Sequence, residues 1–228
     1  MDILNFISWI KAGKYSLTMP ADAITVVGVP NPTRGDAYLP VTVPITAITS
    51  LIPPFPVSNT NIGKLLGGGI VVAEWDENGV KKALIASLTD LALLPWTVPA
   101  QVNNLIGPTA QSWSNGLGNT NAIIAQTGAP ATTAYAAGIA KLYLGGGFTD
   151  WYLPAAWELN MCYNSATVVN RILGANGFQT NNWNYWSSTE ISSNNAWRVT
   201  FKEGTGVPSF KAGGGGVVSI RAVRIHTL

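Results

Sequence analysis

The sequence predicts an α+β domain of small antiparallel sheets and two helices, preceded by an extended N-terminal arm. Three observations carry this. Eight of the 14 prolines (20, 30, 32, 40, 44, 53, 54 and 56) crowd the first 56 residues. A strand–turn–strand pattern follows at once, and two segments of helical periodicity then precede a strand-rich end.

The arm comes first. Proline lacks an N–H and fixes φ, so its density opposes helices and interior strands and favours an extended path. Between the prolines run β-formers, AITVVGV at 23–29 and YLPVTVPITAITSLI at 38–52. Residues 1–58 therefore read as a short amphipathic helix followed by an arm too apolar to stay unpartnered. It is expected to lie along another subunit or another protein. Residues 59–228 form the second domain.

That domain opens on GGGIVVAEWDENGVKKALIASL at 67–88, two strands around an Asp-Glu-Asn-Gly turn. Residues 100–130, rich in Gly, Asn, Ser and Thr, are expected to be mostly loop. TTAYAAGIAKLYLGGG at 132–147 places Tyr135, Ile139 and Leu142 at helical spacing, with threonines to cap the start and glycines to stop it. A second helix should begin near Pro154 and end by Gly174, its apolar stripe being Leu159, Cys162, Tyr163, Val169 and Ile172. AWRVTF and VVSIRAVRI are the clearest strands of the remainder.

Composition removes several function classes. Charged residues are only 11% of the chain, with a net charge of +2 and no basic run able to neutralise a series of phosphates, so no nucleic acid is expected as partner. One cysteine, Cys162, rules out an internal disulfide and a thiolate zinc cage, and reads as a small buried hydrophobe. One histidine, His226, reads as an exposed tail residue and leaves little room for histidine acid–base chemistry. The start, MDILNFISWIKAGK, lacks a basic lead and a small-residue cleavage site and is too short for a membrane span. A soluble chain with no membrane span, no cofactor and no metal is expected, and no nucleophile–base pair suggests an enzyme.

FTDWYLPAAWELNMCY, then YWSSTE, then NNAW, then a terminal RAVR form an ordered series. It resembles the Lcl C-terminal-like family, over residues 62–225, through Asp150, Trp151, Leu153, Pro154, Glu158, Leu159, Trp186–Glu190 and Arg221–Arg224. That resemblance implies a C-type-lectin-like fold, related to the formylglycine-generating-enzyme group. Physically, Trp151, Trp186 and Trp197 are large surfaces to bury, each with an indole N–H needing a partner. Glu158, Glu190, Arg221 and Arg224 are suited to satisfy such groups and to pair with one another, as scaffold. On this reading YWSSTEISSNNAW (185–197) is a polar bridge at the surface, pinned by aromatic ends.

Relatives within this fold include the variable proteins of diversity-generating retroelements, which display altered residues on one face. FQTNNWNYW, SSNN and KAGGGGVVS share the Asn, Ser, Tyr, Trp and Gly composition of paratopes, though Asn and Gly are also ordinary turn formers. The expected ligand contacts are Asn181, Asn182, Trp183, Asn184, Tyr185, Ser192, Ser193, Asn194, Arg198, Thr200, Lys202 and Lys211. The expected function is non-enzymatic display and binding. The arm would join other virion structural proteins, by analogy those of a bacteriophage, and the loops a host-surface protein or glycan. A homo-oligomer, by analogy a trimer, is expected. A virion decoration or cement protein and a bacterial surface adhesin remain as alternatives.

Other signals are set aside. The paired cysteines of formylglycine-generating enzymes are missing, and the calcium-lectin motifs Glu-Pro-Asn and Trp-Asn-Asp are not reproduced. Asp76, Glu77 and Asn78 read as a hairpin turn before a metal loop, and Arg34-Gly35-Asp36 as a chance tripeptide. LGGGF and AGGGGV lack the spacing and lysine of phosphate loops.

Overall fold

The computed structural model describes residues 60–179, 184–213 and 218–228, and the backbone of three strands nearer the N-terminus. The chain divides into two units, Met1–Asn59 and Thr60–Leu228. In the first, β1 (Ser16–Thr18), β2 (Ala23–Pro30) and β3 (Tyr38–Pro44) pair antiparallel in that order. The segments expected to run out as an arm thus contain strands bonded to one another. Pro40 falls on edge strand β3 where the register with β2 shifts, a place where a missing N–H is tolerated. The helix expected at the start of the chain lies outside the described residues.

The second unit is mixed α+β, with three α-helices and two four-stranded sheets among the described residues. Its first sheet comprises β4 (Leu65–Leu66), β5 (Gly69–Glu77), β6 (Val80–Ala86) and β11 (Val223–Thr227), in the order β11-β6-β5-β4. The β5–β6 hairpin is the one expected. Asn78 and Gly79 both take positive φ (55° and 81°), as a two-residue turn requires, and Gly79 N donates to Asp76 Oδ1 at 2.7 Å. Val223 pairs with Ala86 and Thr227 with Lys82, so both ends of this unit meet in one sheet. His226 is therefore a half-buried strand residue, not a free tail.

β5 and β6 read as continuous apolar runs because both of their faces are buried. Val71, Ala83 and Ile85 pack into one core with Trp96, Ile123, Ala136 and Ala140; Ile70, Val72, Leu84 and Ala86 pack into another with Leu159, Cys162 and Val169. The helices supply these second layers. α1 (Gly116–Thr127) falls inside the stretch expected to be loop. Asn115 caps it by accepting from Gly118 N, and burial of Ile123 outweighs the weak helix formers around it. α2 (Ala136–Leu142) is shorter than expected, and its N-cap is Tyr135, with no side-chain cap from the threonines.

α3 (Ala156–Leu173) starts and stops as expected, two residues after Pro154 and at Gly174. Its stripe holds at Leu159, Cys162 and Val169, each 0% exposed, but frays at Ile172, which is 50% exposed. The second sheet has β7 (Asn184–Glu190), β8 (Asn195–Thr200), β9 (Thr205–Phe210) and β10 (Val218–Ser219) in the order β10-β7-β8-β9, with β10 parallel to β7. VVSIRAVRI is split between the two sheets: Val218–Ser219 in one, Val223 onward in the other. No described helix is long and apolar enough to cross a membrane.

Candidate ligand-binding surface

The polar run between Tyr185 and Trp197 is not a surface bridge. It is the β7–β8 hairpin, and Ser187, Ser188, Thr189 and Glu190 are all buried. Each has work inside. Ser187 Oγ donates to Trp197 O (2.8 Å), and Thr189 Oγ1 donates to Ser112 O (2.9 Å) while accepting from Ala156 N (3.0 Å). Buried side-chain hydroxyls thus tie β7 to the loop before α1 and to the start of α3, avoiding the cost of unpaired polar groups. Only residues 191–194 form the turn.

The charged residues are scaffold, as expected, but they do not pair with one another. Glu190 pairs with Lys211 (2.6 Å), both side chains wholly buried, and accepts from Gly107 N at 2.7 Å. Arg221 pairs with Asp90 (2.9 Å) and donates to the carbonyls of Ser87, Asn176 and Gly177. Arg224 grips Asp150 through Nε (2.6 Å) and Nη2 (2.9 Å), which holds the Asp150 carboxyl below its ordinary range. Glu158 accepts from Tyr152 Oη (2.9 Å) and Ala155 N (2.7 Å), and burial pushes its carboxyl up to about 7. Burial likewise raises the Asp90 carboxyl, against the pull of Arg221, and the Cys162 thiol to about 12. Trp96, Trp151 and Trp186 are the buried indoles, donating to the carbonyls of Ser187, Gly145 and Leu94. Trp197 is only half-buried and leans on Trp113, ring centroids 5.2 Å apart.

The expected contact residues separate into four places. Tyr185 and Lys211 are 0% exposed and are corrected to framework. Tyr185 Oη donates to Asp90 Oδ2 and its ring packs on Phe201, while Lys211 neutralises Glu190, so neither has a free surface. Ser192, Ser193 and Asn194 make the β7–β8 turn, pinned where Lys211 N donates to Asn194 O (2.9 Å), with Ser193 outermost. Asn184, Thr200 and Lys202 lie at the other end of the hairpin, where Asn184 pairs with Thr200 and Lys202 is exposed.

Five strand residues separate those two ends, roughly 17 Å, so they are not one patch. Arg198 sits between them, half-buried, on the face it shares with Trp186 and Val207. Its Nε and Nη1 are covered and have no acceptor among the described residues. Asn181, Asn182 and Trp183 lie outside the described residues.

Three features escaped the sequence reading. Asp90, a lone acid within SLTDLALLP, borders a cleft of about 350 Å³ lined by Leu91, Leu93, Gln179 and Ser219. Trp113, isolated in a polar loop, and Phe210, ending β9, are 53% and 57% exposed. A large aromatic flanked only by Ser, Asn and Gly is a signal that could have drawn notice to Trp113. Among the described residues no group of three or more His, Cys, Asp and Glu could hold a metal ion. No known family model matches the chain, and no curated protein matches it.

Proposed function

We propose that this chain is a non-enzymatic binding and display protein whose second unit has a C-type-lectin-like fold. Residues 1–58 hold it among other structural proteins of a bacteriophage virion, as a homo-oligomer, by analogy a trimer. The β7–β8–β9 sheet recognises a host-surface protein or glycan. The ordered motifs from Asp150 to Arg224 support the fold, and so does the meeting of both ends of the unit in one sheet.

The observation that carries the binding role is the division of labour in one hairpin. Ser187–Glu190 are consumed by internal bonds, while Ser193 and Lys202, a few residues away, are exposed and Thr200 is half-buried, on a backbone those bonds hold still. Rigid support beneath small polar side chains is what a recognition surface needs, because little entropy is then lost on contact.

Host-cell retention of the full-length chain tests this. Replacing Ser193 with Arg, or Thr200 and Lys202 together with Ala, should lower retention at least tenfold at one end of the hairpin with melting unchanged. Parental retention by both variants rejects the role. Deleting residues 1–58 should abolish incorporation into particles and leave cell retention intact; a change in particle stability alone favours the decoration reading.

A further inference from the structure

The seven described indoles of the second unit divide by whether the N–H has an acceptor. Trp96, Trp151 and Trp186 are buried and each donates to a carbonyl. Trp75, Trp113, Trp157 and Trp197 donate to no described residue, and of these Trp113, at 53% exposure, and the half-buried Trp197 lie together. The two rings lie 5.2 Å apart at 48°, and Trp197 rests over Gly206, where an added Cβ would stand 3.4 Å from the ring. Register extends the patch. Trp197 pairs with Pro208 and Asn195 with Phe210, so these four side chains share one face of β8 and β9. α3 packs on β7 and β8 and covers the Tyr185–Val199 end of that face; the Trp197–Phe210 end stays open, with Phe210 57% exposed.

Charge decides what fits. The segments that build the patch, SWSNGLG (112–118), SSNNAW (192–197) and GVPSF (206–210), contain no charged side chain. Glu190 and Lys211, at the ends of the neighbouring strands, cancel each other, and Arg198 belongs to the opposite face of β8. An acidic ligand would lose its hydration and gain no counter-charge. β9 is a sheet edge, but Pro208 removes an N–H from its middle, which disfavours addition of a strand from a second copy. Flat apolar ring faces, unused N–H donors and neighbouring hydroxyl and amide groups complement an uncharged ring with C–H on its faces and hydroxyls on its rim.

We propose that Trp113 and Trp197, with Phe210, Asn195 and the Ser192–Asn194 turn, form a stacking site for a neutral saccharide ring. This rests on the binding role above and names its ligand chemistry at the turn end of the hairpin. Trp113 supplies the ring face, Trp197 orients it, and the turn supplies hydrogen bonds to the sugar hydroxyls.

The test presents the full-length chain to immobilised neutral oligosaccharides (hexose and N-acetylhexosamine) and acidic ones (uronate, sialylated and sulfated), beside host cells. Trp113→Ala should weaken neutral-saccharide binding at least tenfold and Trp113→Phe should restore most of it, both melting as the parent does. Binding only to acidic saccharides, no saccharide binding, or equal binding by Trp113→Ala overturns the site. So does a Trp113→Ala chain that sediments as a smaller oligomer, since a second copy then covers the patch. Loss of saccharide binding by Trp113→Ala with cell retention unaffected supports the site and places host recognition elsewhere on the chain. Saccharide binding without cell retention supports the site and overturns host recognition.

Discussion

Lys211 and Glu190 meet where water does not reach, 2.6 Å apart, with Lys211 also donating to Asn104 O and lying over the Trp96 ring at 5.0 Å. Removing one member of such a pair strands the other. Lys211→Met should cost about 3–5 kcal/mol in urea unfolding; a loss below about 1 kcal/mol would mean that water hydrates Glu190 in the variant. Glu158 gives a test in pH. Its folded carboxyl titrates near 7 against 4.5 as the ordinary value, so the folded state holds the extra proton between those limits. Its contribution is complete below about pH 4.5 and is lost as pH rises through about 7. Glu158→Gln should flatten that fall in a melting series from pH 5 to 8, and an unchanged slope would assign it to another group. Neither behaviour was legible in the sequence, where Lys211 read as a contact residue: a lysine beside a glycine run looks exposed until its partner, 21 positions away, is placed against it.

Elements differ in how openly they announce themselves. The β5–β6 hairpin was readable because Asn78-Gly79 is a local signal that needs no partner, and α3 because Pro154 and Gly174 bracket it. α1 was not, since GLGNTNAIIAQT is poor in helix formers and is held by what it packs on. Gly116 shows the dependence. It begins α1 directly against α3, and a Cβ there would collide with Glu158 Oε2, Ala155 N and the Tyr152 ring. Gly116→Ala should destabilise by about 1–3 kcal/mol through overpacking. Gly79→Ala meets open space and bears only the strain of positive φ, about 1–2 kcal/mol. Guanidinium melts of the two variants check this, and a Gly116→Ala chain as stable as the parent would show that α1 can slide away.

For the second unit as a whole, Arg221 is the tie. Wholly buried, it reaches Ser87 and Asp90 after β6 and Asn176 and Gly177 after α3, and lies over Phe178 at 4.6 Å. Residues 134 positions apart are thereby joined, just ahead in the chain of the strand that pairs with β6. Arg221→Met strands the Asp90 carboxylate and three carbonyls, so a loss of at least about 3 kcal/mol is expected. Hydrogen exchange should accelerate together in the β6–β11 pair and around Asn176, and acceleration confined to one of them would reduce Arg221 to a local brace.

The amino-acid order alone determined the class of the second unit, its first hairpin, the span of its longest helix and the burial of Cys162, because turn residues, helix ends and apolar period act over a few neighbours. Tertiary structure decided the rest. It turned an apparent surface bridge into a buried strand, gave Arg221 and Arg224 each an aspartate from far along the chain, and set the expected contacts at two ends of one hairpin. A serine or lysine carries the same letter whether water or protein satisfies it, and only the folded chain brings up the partner that decides which.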